Sequence, residues 1–150
     1  MQALLVAIIA WLSVNYGLAQ PDKLPDVRFA SPVEIAEIHV VAPIHTAQPQ
    51  SKSTPSEKVR KVVAIYESSQ KAIILPQGWT ARSPADLSLL VHEMVHYLQD
   101  LAALRYACPE EREALAYSAQ EKFLGQFRTN LEKEFNIDDL TLLVTTQCAY

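Results

Sequence analysis

Apolar residues recur along the chain with two different periods. From Leu87 onward they fall at Leu87, Val91, Met94 and Leu98, the spacing of one face of an α-helix. Ser83-Pro84-Ala85-Asp86 precedes them. Serine suits the cap, proline the first helical position, and Asp86 the positive end of the dipole. The pattern predicts a helix from Pro84 to about Leu104. A second helix is predicted from Cys108-Pro109-Glu110-Glu111 to about Asn130, again with proline first and acids in the first turn. Asn136 to Asp139 reads as a turn, and Leu140 to Val144 as a last element of undecided type.

Upstream the period shortens. Val62–Tyr66 and Ala72–Leu75 are short runs of β-branched and apolar residues, and they predict a hairpin. Its turn lacks Gly and Asn, so more than two residues are expected there. Val33 to Val41 suits either a strand or a short helix. Residues 20–32 are rich in proline and polar groups, and 42–57 have linker composition. The expectation is an α+β domain over residues 58–150, a small hairpin sheet on two helices, behind an extended or mobile region at 20–57.

The first 19 residues carry no charged side chain. Their apolar run ends at Gly17-Leu18-Ala19, which predicts a signal peptide. An uncleaved anchor is the alternative, with a run short for spanning a bilayer. Either predicts an exported protein, periplasmic or secreted, without stable membrane insertion once the leader is cleaved. Two cysteines, Cys108 and Cys148, then suggest one disulfide. The net charge of -4 has no basic stripe, which argues against a nucleic-acid partner.

The first predicted helix carries His92-Glu93-Met94-Val95-His96. At about 100° per residue the two histidines face away from the Leu87 stripe, about 6 Å apart along the axis. That arrangement suits joint grip of an external atom. Glu93 is turned about 100° from His92 and points beside that atom, where it can take a proton from an activated water. A third ligand must come from another element. Glu110 and Glu113 on the second helix are the candidates, and Glu113 begins a face with Ala116, Tyr117, Gln120 and Leu124. Small Ala116 lets the two helices approach closely.

His92-Glu93-x-x-His96 followed by Glu113-Ala114 on the next helix resembles the gluzincin zinc metallopeptidases. The hairpin and the shortness resemble their minimal, minigluzincin-type core over about residues 60–127. The resemblance implies zinc held by His92, His96 and Glu113, with Glu93 as general base. It also implies that an extended peptide substrate adds along Ala72–Leu75 as a strand edge. Tyr106 and Tyr117 are the nearby candidates for an oxyanion stabiliser, and Tyr117 is placed with Glu93 as catalytic. Tyr117 stands where the family often has an acid, four residues after the glutamate ligand. No His-x-x-Gly-x-x-His extension follows, so the metzincin pattern is absent.

The expected function is hydrolysis of peptide bonds by metal-activated water. The alternative is a non-catalytic metal-binding interaction or structural module on the same scaffold. Glu111 and Arg112 are expected on a solvated surface, as are His39 and His45. Trp79 and Tyr97 are expected in packing, and Gln99 is a candidate hydrogen-bond partner without a named acceptor.

Overall fold

The computed structural model describes residues 1–41 and 64–149. Among them the architecture is α+β: six helices and a three-stranded sheet. In chain order these are α1 (Gln2–Tyr16), β1 (Asp26–Ala30), α2 (Pro32–Val41), β2 (Ile65–Glu67) and β3 (Ala72–Pro76). Then follow α3 (Pro84–Leu101), α4 (Pro109–Gly125), α5 (Leu131–Phe135) and α6 (Asp139–Thr146).

The hairpin forms as expected, with β2 antiparallel to β3. Residues 68–71 make the turn. Lys71 closes it at φ 53°, the left-handed conformation that glycine would otherwise supply. The third strand differs from expectation. It is β1, from within the proline-flanked lead-in, and it pairs parallel with β3 from Asp26↔Ala72 to Ala30↔Pro76. The sheet order is β1-β3-β2. Ala72–Leu75 is therefore central rather than an edge, and its four residues are all buried, as suits a strand flanked on both sides. With β1 and β2 on its two sides it offers no free edge, so a peptide does not add along it as a strand.

Val33–Val41 resolves as helix. Ser31 and Glu34 form a capping box: the Ser31 N–H donates to the Glu34 carboxylate, and the Glu34 N–H to Ser31 Oγ. Ile35 is fully buried as α2 packs on β1 and β3. The expected extended or mobile region is thus folded over 26–41, and the folded unit begins before Lys58. The linker reading of 42–57, and Val62 and Val63 of the first hairpin strand, lie outside the described residues. So do His45 and the side chain of His39.

The N-terminal run is the helix α1, and one of its faces is core. Leu5, Ile8, Ile9 and Leu12 are buried in the same cluster as Leu90, Val91, Met94, Val95 and Leu98 of α3. Each such side chain contributes about 1.5–3 kcal/mol relative to exposure. The Trp11 ring meets Phe123 of α4 edge-on at 5.6 Å, and the Tyr16 hydroxyl donates to Ser118 O. Among the described residues no helix is long and apolar enough to cross a membrane.

Ser83 caps α3 by accepting from the Asp86 N–H at 3.0 Å, as its position predicts. The helix ends at Leu101, short of Leu104. α4 ends at Gly125, where expectation carried it to Asn130, because Arg128 turns left-handed. Asn130 instead caps the short α5, and Asp138 caps α6. Cys108 and Cys148 form a disulfide with their Cα atoms 5.8 Å apart, which ties the tail to the start of α4. Trp79 and Tyr97 pack as expected. The Trp79 indole N–H donates to Asp86 O, and the Tyr97 hydroxyl to Lys23 O.

Candidate metal centre

The two histidines point where the helical period sends them, away from the α1 side of the core. That face is not open. Every residue of α3 from Leu90 to Gln99 is buried, because α4 lies across the histidine side. Ala116 and Ala119 are fully buried, and their missing bulk permits the approach. Leu87, expected in the core stripe, is only half-buried near the helix start.

α4 brings Glu113 to the histidines. His92 Nε2 is 3.1 Å from Glu113 Oε2, and His96 Nε2 is 3.3 Å from Glu113 Oε1. The two Nε2 atoms are 3.2 Å apart. His92, His96 and Glu113 are a group whose ligand atoms all lie within 4.8 Å of one another, as a metal site requires. Glu110 is not in that group, so the geometry favours Glu113 between the two glutamates. The histidines are 8% and 7% exposed, and Glu93 is 7% exposed beside them.

Charge and burial compete inside this cluster. Burial disfavours the Glu113 carboxylate, but hydrogen bonds from both imidazoles overcome that and hold its pKa well below the usual range. Burial also works against an imidazolium at His92, yet Glu113 and Glu93 together raise its pKa. The two shifts favour an ionised Glu113 beside a protonated His92.

Tyr117 stands on α4 one turn after Glu113. Its ring meets the His92 ring at 4.7 Å between centroids, steeply tilted. Burial, then the Glu113 and Glu93 charges, push its pKa up to about 12, so the hydroxyl keeps its proton. Tyr106 is elsewhere. Its buried hydroxyl has no partner among the described residues and lines a small cavity of about 100 Å³ with Gln99, Asp100 and Arg112. Of the two tyrosine candidates, only Tyr117 is brought against a candidate ligand.

Arg112 departs from expectation. It is half-buried, and its Nη2 donates to His96 O at 3.2 Å. Its stem crosses between the two helices, where a solvated face was expected. Glu111 is exposed as anticipated and accepts from the Ala107 N–H. Gln99 finds a partner in His96, with Oε1 3.0 Å from Nδ1. Gln120 makes the same contact with His92 at 3.0 Å, a role that a neutral amide on a helix face does not announce.

No curated protein and no solved structure matches the chain. A family described as "Domain of unknown function (DUF6647)" has a model that matches residues 1–150, and the chain belongs to that family.

Proposed function

We propose that the chain is an exported zinc-dependent metallopeptidase, with His92, His96 and Glu113 as ligands and Glu93 as general base. The observation that carries this reading is the convergence of both Nε2 atoms on the Glu113 carboxylate. Zinc bonds of 2.0–2.1 Å in a tetrahedron separate neighbouring ligand atoms by about 3.3 Å. Here the two Nε2 atoms are 3.2 Å apart, and each lies 3.1 or 3.3 Å from its own oxygen of Glu113, Oε2 for His92 and Oε1 for His96. Two imidazoles and one carboxylate also match the ligand set of catalytic zinc, which leaves a fourth position for water or substrate.

Bound zinc would supply Lewis acidity and a water made acidic enough to lose its proton near neutral pH. The chain's own groups do the rest. Glu93, one residue past His92, accepts the proton and passes it to the leaving amine. The Tyr117 hydroxyl keeps its proton and offers a donor to the developing negative charge. The Cys108–Cys148 disulfide supports an oxidising compartment, and hence export.

A second reading has one observation in its favour. Both histidine ligands and Glu93 are nearly closed to solvent, which suits a metal-held module without turnover. Glu93→Gln separates the two. For a peptidase, zinc content is retained while hydrolysis of a mixed peptide library disappears. A wild-type chain that holds zinc and cleaves nothing in that library sinks the enzymatic reading.

A further inference from the structure

Two glutamines stand directly behind the histidines, and both are almost wholly buried, Gln99 at 1% and Gln120 at 2% exposure. A side-chain amide can present either its oxygen or its nitrogen to a ring. Here the choice is fixed by what lies on the far side of each amide. Gln99 Nε2 donates to Arg112 O at 3.0 Å. A carbonyl oxygen only accepts, so the amide nitrogen must be at that end. Gln99 Oε1 therefore faces His96, and it also accepts from Arg112 Nε at 3.4 Å.

The Gln120 chain ends the same way. Ser88 Oγ donates its single hydrogen to Ala85 O at 2.9 Å. Its lone pairs are left to accept from Gln120 Nε2 at 3.2 Å. Gln120 Oε1 is thereby turned to His92 Nδ1. Both chains begin at a backbone carbonyl of a helix and end at an imidazole. An amide oxygen only accepts, so each Nδ1 must donate.

We infer that Gln99 and Gln120 are the positioning residues of this centre, holding both imidazoles with hydrogen on Nδ1 and presenting both Nε2 electron pairs toward Glu113. The inference rests on the metal reading above and adds how that site is set up. With both rings neutral, two nitrogen lone pairs and a carboxylate converge with no donor among them. A cation among these atoms relieves that repulsion, and Nε2 is the atom of each ring left to take it. The amides fix ring orientation as carboxylate partners would, but they add no negative charge behind the rings. A bound dication then keeps more of its positive charge for a substrate oxygen.

The test is imidazole-nitrogen NMR of the full, disulfide-intact chain, first metal-free at mildly alkaline pH and then after zinc addition. Both Nδ1 atoms are expected to carry hydrogen in both spectra, with zinc altering Nε2 alone. An Nδ1 lacking hydrogen in either ring overturns the inference. Zinc competition with a chromophoric chelator gives a second measurement. Gln99→Leu and Gln120→Leu should each weaken binding about 10–100-fold, while Gln120→Glu, which keeps the acceptor, should not weaken it. Unchanged affinity in both Leu variants also overturns the inference. Gln→Met replacements serve where a Leu variant does not fold. A wild-type chain that takes up no zinc defeats the metal reading, and its metal-free spectrum still decides the position of the hydrogen.

Discussion

The Tyr66 hydroxyl donates to the Asp100 carboxylate at 2.7 Å, joining strand β2 to the last turn of the histidine helix. Lys71, in the hairpin turn, pairs with the same oxygen. One carboxylate thus fixes the sheet to α3.

Asp100 supplies a pH-dependent part of the stability. Burial raises its pKa, but hydrogen bonds from Lys71 and Tyr66 lower it further, below the ordinary 3.8. Its contribution is therefore complete above the unfolded-state value and is lost as the pH falls through the folded-state value. Asp100→Asn should cost about 1 kcal/mol at neutral pH, given partial exposure. That deficit should shrink in acid. Urea titrations of both chains across the acid range would test this, and a deficit independent of pH would count against it.

Replacing both His92 and His96 by Ala should abolish stoichiometric zinc, as read by elemental analysis of the purified chain. One zinc per chain retained in that variant would remove the centre from this turn of helix.

Tyr117→Phe should leave zinc content and the melting temperature nearly unchanged. If its hydroxyl faces the developing charge, kcat falls about 10²–10³-fold with little change in KM. Equal kcat in the two chains would return Tyr117 to packing against His92.

Much of the site was legible because its signals are local. The Ser83–Asp86 cap, the four-residue histidine spacing and Glu113 on the next helix all follow from short-range periodicity. Ser31-Pro32-Val33-Glu34 carries the same kind of start signal as Ser83 and was equally available for α2. β1 was not legible. Asp26 to Phe29 alternates polar and apolar, but over only four residues in a proline-flanked lead-in, and it becomes a strand only through pairing with β3 far along the chain. Gln120 was hidden for a similar reason, since its role exists only once α4 lies on α3. For α1 the composition is shared by a leader and by a core helix, and only the neighbours distinguish them.

Those neighbours make α1 testable. Leu12 is fully buried against the core of α3. Leu12→Ala in the full chain should cost about 2–5 kcal/mol if the helix stays in place. Thermal unfolding together with intact mass reads this directly. A folded chain of unchanged stability would show that α1 contributes nothing to the mature core.

The connectivity of the two structural halves also sets an order of assembly. His92, His96 and Glu113 lie on consecutive helices joined by a short loop, so their meeting closes only a small loop of chain. β1 must find β3 across the whole of α2 and the segment beyond it, from Asp26 to Ala72. Contacts between distant partners form late, because the entropy of closing the chain must be met first. The helical hairpin should therefore nucleate while the sheet is still open, so the metal proposed for this centre would bind during folding. Zinc present during refolding should then speed an early helical phase and leave the slower pairing of β1 with β3 unchanged.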